Sequence, residues 1–221
     1  MTKSNFYYLC VSFLLSIATT PTHALVLNSL DSVGIINQCD SSGHNNGMWI
    51  YTSDGMYEDT YICSYNDRGN REGLGIELVK KDDGSYRISS LELNQNNLMV
   101  KRVDFYNNGK AASVMDSVQP LDTKKFPKVG IIAEKCKNTE IGRYGIIQFY
   151  AKGYNEDTGL LEVEGWYCNF IDENKNYDYM ANPLEIGIHK YYKDGEVILK
   201  DYTDISIQIL LNIAGLGDDD D

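Results

Sequence analysis

The chain repeats itself, and the repeat limits what it can fold into more than any single motif does. Val33-Gly34-Ile35-Ile36 followed by Cys39 returns as Val129-Gly130-Ile131-Ile132 followed by Cys136. Gly47-x7-Gly55-x2-Glu58-Asp59-Thr60 returns at the same internal spacing as Gly145-x7-Gly153-x2-Glu156-Asp157-Thr158. The match continues through Tyr61-Ile62-Cys63 and Trp166-Tyr167-Cys168. It then runs through Gly75-Ile76-Glu77-Leu78 with Asp83-Gly84, matched by Glu185-Ile186-Gly187-Ile188 with Asp194-Gly195. Turn residues and apolar runs held at fixed offsets predict a duplicated structural unit.

Each copy reads as β. Short runs rich in β-branched and aromatic residues alternate with turn signals. In the first copy the predicted strands are Val33–Ile36, Met48–Thr52, Thr60–Tyr65, Gly75–Lys80 and Tyr86–Leu93, followed by Leu98–Tyr106. In the second they are Val129–Ile132, Ile146–Ala151, Leu160–Phe170, Leu184–Tyr192 and Glu196–Lys200, with Ile205–Leu211 closing the chain. Asp83-Gly84, Asn108-Gly109 and Asp194-Gly195 supply residues that tolerate positive φ, as tight hairpins require. Ala111–Val118 is the one stretch read as helical. The expected fold class is all-β: two tandem disulfide-bonded β-rich repeat units, each a small sandwich or barrel-like, standing as separate bodies or packed as one pseudo-symmetric body.

The expected domain plan follows. Residues 1–24 carry Lys3, an apolar stretch from Phe6 to Ala18 and the ending Thr22-His23-Ala24, the layout of a secretory signal peptide. Residues 25–119 form the first unit, 120–127 a polar linker between two prolines, 128–217 the second unit, and 218–221 an acidic tail. No later segment supplies the roughly 20 apolar residues of a membrane-spanning helix. The sequence therefore predicts an exported chain, periplasmic or secreted, with no membrane insertion.

Four cysteines remain once Cys10 leaves with the signal. They allow three pairings, and only pairing within copies could be inherited by both, so Cys39–Cys63 and Cys136–Cys168 are the predicted bridges. Zinc would call for paired C-x2-4-C knuckles, which are absent.

Removing residues 1–24 leaves 19 basic against 32 acidic side chains. Such a surface repels phosphate backbones and anionic lipid, which excludes nucleic acid as a partner class and favours a basic protein. Catalytic machinery is sparse. Ser41, Ser42 and His44 share one loop without a nucleophile elbow. His189 alternates with apolar neighbours and is expected to face solvent. Glu162 and Glu164 share a strand face and are expected to be solvated. Asp172-x-Asn174-x-Asn176-x-Asp178 places oxygens at alternate positions, but Tyr177 and Pro183 stand where a calcium loop needs glycine and glutamate. No cofactor is expected. Trp166 is expected to stack on a disulfide.

The candidate binding residues are Tyr57, Glu58 and Asp59 in the first copy and Tyr154, Glu156 and Asp157 in the second, each group setting an aromatic ring beside carboxylates near a hairpin tip. The leading expectation is a non-enzymatic binding protein, an inhibitor or immunity-type protein that neutralises a basic toxin or hydrolase. An adhesin-like module binding glycan or calcium, and a carboxylate-based hydrolase, are the alternatives.

Overall fold

Turn chemistry sets the spacing of the strands. At Lys81–Ser85 and Tyr106–Lys110 the first residue's N–H donates to the fifth residue's carbonyl, at 2.7 and 2.9 Å, and the fourth residue donates back to the first. That fourth residue is Gly84 or Gly109, at φ of 79° and 82°, a left-handed conformation that side chains disfavour. Asp83 Oδ1 and Asn108 Oδ1 accept the N–H two residues on, both at 2.9 Å, so the turn is held by its own side chain. The same backbone bonds close Asp40–His44 and Asn66–Asn70. Asn96-Asn97 and Asp194-Gly195 are two-residue turns with both φ positive.

The computed structural model describes residues 36–52, 59–140, 142–171, 183–213 and 216. Its elements are β1 (Gln38–Cys39), β2 (Asn45–Thr52), β3 (Thr60–Tyr65), β4 (Gly73–Lys80), β5 (Tyr86–Gln95), β6 (Leu98–Phe105) and β7 (Ala111–Pro120). There follow α1 (Pro127–Cys136), β8 (Ile146–Tyr154), β9 (Leu161–Phe170), β10 (Leu184–Lys193), β11 (Glu196–Asp201) and α2 (Thr203–Ile213). The chain is mostly β, with antiparallel strands and two short helices. It divides into two compact units, 1–91 and 92–221, and in each the sheet neighbours are chain neighbours. Among the described residues no helix is long and apolar enough to cross a membrane.

In the first unit the buried side chains include Ile36, Ile50, Cys63, Ile76 and Leu78. In the second, Phe126, Val129, Ile132, Cys136, Ile146, Cys168, Phe170, Ile186 and Leu210 form one core that joins both helices to β8, β9 and β10. Val118, Ile147 and Phe149 form a smaller cluster. Ile146 and Ile147 enter different clusters because successive strand residues point to opposite faces.

Three expected elements change type. Val129–Ile132, expected as strand, lies in α1. Pro127 starts that helix, where a missing N–H costs nothing, and Val129, Ile132 and Cys136 recur at helical spacing on the core side. Ile205–Leu211, expected as strand, lies in α2. Asp201 Oδ1 accepts the Thr203 N–H at 2.9 Å, and Tyr202 O accepts the Ser206 N–H at 3.0 Å, which starts a helix where alternation would have continued a strand. Ala111–Val118, expected as helix, is most of β7, drawn into a hairpin by Asn108-Gly109 and paired with β8 from Ser113↔Gly153 to Pro120↔Ile147.

The boundary between units falls between Leu91 and Glu92, inside β5, rather than at 120–127. Those linker residues are folded within the second unit: Leu121 N–H donates to Ile146 O at 3.0 Å, Asp122 N–H to Gln148 Oε1 at 2.7 Å, and the Phe126 ring is buried. Gly153, expected at a turn, sits within β8 opposite Val163. Gly55, the signal segment 1–24, Val33–Ile35, the Asp172–Asp178 loop and the tail 218–221 lie outside the described residues.

Among the described residues no disulfide is formed: the sulfurs of Cys39, Cys63, Cys136 and Cys168 are not bridged. For Cys39 and Cys63 the register gives the reason. Cys39 faces Asn45 on one side of β2 and Cys63 faces Trp49 on the other. Two strand spacings across and four residues along place their Cα atoms roughly 16 Å apart, whereas a bridge needs less than about 7 Å. Cys136 and Cys168 share the second unit's core. Burial pushes the Cys168 thiol up to about 12 and raises Cys136 as well.

Candidate functional site

The β8–β9 connection is the second copy's candidate loop, and a dense set of hydrogen bonds holds it. Asn155 N–H donates to Leu160 O at 2.9 Å and Gly159 N–H to Asn155 O at 2.8 Å. Asn155 Oδ1 accepts Thr158 N–H at 2.8 Å and Thr158 Oγ1 at 3.0 Å, while its Nδ2 donates to Glu162 Oε1 at 2.7 Å. The neighbouring β6–β7 turn then braces the loop. Tyr106 OH donates to Tyr154 O at 2.7 Å, Asn108 Nδ2 to Glu156 O at 3.0 Å, and Lys110 Nζ to Asp157 O.

Asn155 and Thr158 thus do the local organising, which leaves the Glu156 and Asp157 side chains exposed on a fixed backbone. Beside them lies an open groove of about 460 Å³ between the β8–β9 loop and the β10–β11 turn. Leu160 and Glu162 line one wall, Tyr192, Asp194 and Glu196 the other. Leu160 is 69 % exposed and supplies an apolar centre; Glu162, Asp194 and Glu196 give an acidic lining that Lys193 interrupts, and Glu156 and Asp157 fall in the loop between the lining residues Asn155 and Thr158. An antiparallel meander brings alternate hairpin tips to one end of a sheet, so residues far apart in sequence gather here.

Of the other candidates, Tyr57 and Glu58 lie outside the described residues. Asp59 immediately precedes β3 and is half-buried.

Two residues expected to be solvated are enclosed. Glu164 is buried; Tyr192 OH donates to its Oε1 at 2.7 Å and Lys190 Nζ at 3.1 Å, with Tyr150 adding a third bond. The Tyr192 bond, reinforced by the other two, holds its carboxyl near 2. A carboxylate so stabilised is suited to fixing β8, β9 and β10 together and poorly suited to donating a proton. His189, expected to face solvent, is fully buried. Its Nε2 donates to Trp166 O at 2.8 Å, and its ring lies edge-on to Tyr167 and Tyr202 at 4.8 and 5.1 Å. Burial lowers its pKa, so the ring is neutral.

Trp166, expected on a disulfide, instead packs against Phe126 and Tyr150, with Lys125 Nζ 3.3 Å from its ring centre. In the first unit, Asp40 Oδ1 accepts the Ser42 and His44 N–H groups and so closes a turn around the Ser41-Ser42-His44 loop. The same unit carries an aromatic face that the sequence reading missed. Trp49 stacks on Tyr51 at 5.6 Å and meets Tyr65 edge-on at 6.1 Å, and Tyr61 lies 6.5 Å from Tyr51. Period-2 spacing across paired β2 and β3 could have found it. Among the described residues no group of three or more His, Cys, Asp or Glu is arranged to hold a metal.

Comparison with known proteins returns no match to a protein-family model, to a curated protein or to a solved structure.

Proposed function

We propose that the chain is an exported, non-catalytic binding protein, of inhibitor or immunity type, whose second unit engages a basic protein through the acidic hairpin end. The observation that carries this reading is the pinned β8–β9 loop: Asn155 and Thr158 bond it from within and the β6–β7 turn braces its carbonyls, so Glu156 and Asp157 are presented with little left to order on binding. Leu160 offers an apolar contact inside the acidic rim, the arrangement of an anchored centre and charged periphery that recognition surfaces use. The formal net charge of −12 supports the choice of a basic partner. Glu156→Lys with Asp157→Lys tests the reading: it should slow capture of a basic partner while leaving the circular dichroism spectrum unchanged.

The proposal includes the internal duplication, with β2 to β5 and β8 to β11 as the corresponding meanders. It also includes export, and in an oxidising compartment Cys136–Cys168 is the pairing that joins residues of one core.

The aromatic face of the first unit favours a second reading, glycan binding by an adhesin-like module. Tyr51 is 37 % exposed, and Asn45 Nδ2 reaches its hydroxyl at 3.0 Å, so ring faces and polar edges lie together. Retention on a glycan array that is lost in Trp49→Ala would select this reading.

A further inference from the structure

β11 ends the sheet with an open edge. It pairs with β10 from Lys193↔Glu196 to Ile188↔Asp201 across the Asp194-Gly195 turn. Tyr202 N–H donates to Gly187 O at 2.9 Å, which extends the ladder by one pair and fixes its phase. Hydrogen-bonding residues alternate in an antiparallel pair. Glu196, Ile198 and Lys200 therefore aim their backbone groups at β10, and Val197, Leu199 and Asp201 aim theirs outward. Among the described residues no strand pairs with that outward side. All six side chains are exposed, Val197 at 54 %, Ile198 at 43 % and Leu199 at 61 %. Proteins ordinarily blunt such an edge with charged side chains, a bulge or a proline; β11 has neither bulge nor proline, and its charges, Glu196, Lys200 and Asp201, flank an apolar centre at Val197–Leu199.

We propose that this edge pairs antiparallel with the same edge of a second copy of the chain, about a two-fold axis through Ile198. Outward-facing residues must meet outward-facing residues, so a symmetric axis has to pass through a residue rather than between two. With the axis at Ile198, Val197 meets Leu199 of the second copy and exchanges both N–H···O bonds, and the symmetric pair does the same. Glu196 then meets Lys200 of the second copy at each end, while Ile198 meets its own counterpart. Moving the axis to Val197 would set Ile198 opposite Glu196; moving it to Leu199 would set Ile198 opposite Lys200. One register alone matches apolar with apolar and opposite charge with opposite charge. Self-complementarity of that kind is what an isologous dimer requires, and a strand from an unrelated protein has no reason to supply it.

The test is sedimentation equilibrium of the full mature chain at about 0.15 M salt, where the Debye length of about 8 Å screens the general repulsion between two acidic molecules. The wild type should reach twice the chain mass. Glu196→Lys alone and Lys200→Glu alone each place like charges opposite one another at both ends and should weaken self-association at least about tenfold. Mixing these two variants should restore a dimer, because every pair across the axis is again opposite in sign. Val197→Lys, at an exposed position whose backbone groups take no part in the β10 ladder, should abolish association with the fold intact by circular dichroism. A wild type that stays monomeric, single variants that associate like the wild type, or a mixture that gains nothing over its components would each overturn the proposal. Capture of a foreign protein by a monomeric wild type would overturn it too.

Discussion

His189 and Glu164 respond to acid in the same direction, each for its own reason. A buried neutral histidine has a folded pKa below its ordinary 6.5, so between the two values the unfolded chain binds the extra proton. Its contribution is complete above about pH 6.5 and is lost as pH falls below that. Glu164 has its carboxyl held near 2 against an ordinary 4.5, so its contribution is complete above the ordinary value and is lost on the way down to about 2. Urea unfolding followed from pH 8 to pH 3 should show stability declining in two stages, and His189→Phe should remove the upper one. Gly165 explains why His189 fits: a Cβ there would stand 2.4 Å from the imidazole ring. Gly165→Ala should therefore destabilise the second unit by about 1–3 kcal/mol or more, read from the same urea curves. None of this enclosure was legible in the alternation of Ile186 to Lys190, because a bulge between Ile186 and Lys190 rephases β10 against β9. Cysteine pairing was illegible for a related reason, since a repeat fixes which residues correspond and leaves their separation to strand register. Peptide mass spectrometry of the unreduced protein should find no Cys39–Cys63 link, and native alkylation should label exposed Cys39 before buried Cys63.

Strands were easier to read than helices. Thr60–Tyr65 was expected and is β3; the hairpins at Asp83-Gly84, Asn108-Gly109 and Asp194-Gly195 were expected and are formed. Glycine after Asp or Asn carries its own conformational reason, so the signal is local. Val129-Gly130-Ile131-Ile132 and Ile205-Ser206-Ile207-Gln208-Ile209 satisfy periods of both 2 and 3.6 over so short a window, and β-branched content tipped both toward strand. Their decisive signals were at the starts, Pro127 before the first and Asp201-x-Thr203 before the second. Tertiary packing then settles each helix, because Val129, Ile132 and Leu210 close one core. Leu210→Ala should cost about 2–5 kcal/mol of the second unit's stability in chemical denaturation, against under about 0.5 kcal/mol for Ile205→Ala on the exposed side of the same helix.

At the scale of the whole chain, the proposed function rests on charge presented by the frame of the second unit. The proposed Tyr154-Glu156-Asp157 site was reached from the repeat, and the proposed basic partner from the acidic balance. Leu160, Asp194 and Glu196 were not, since only the meander brings the β8–β9 and β10–β11 tips to one end of the second unit. Exposed charge governs encounter more than dwell time, so the rim should act on association rates and do so most strongly at low salt. The most direct measurement takes a basic protein captured by the wild type from its native source and follows association with the wild type and with Glu156→Lys, Asp157→Lys, at 0.01 M and 0.15 M salt. The wild type should bind one partner per site with an association rate that falls steeply as salt rises, and the variant should bind at least about tenfold more slowly at low salt with dissociation little changed. Equal association rates for the folded variant and the wild type at both salt concentrations would contradict the assignment of this hairpin end as the binding surface.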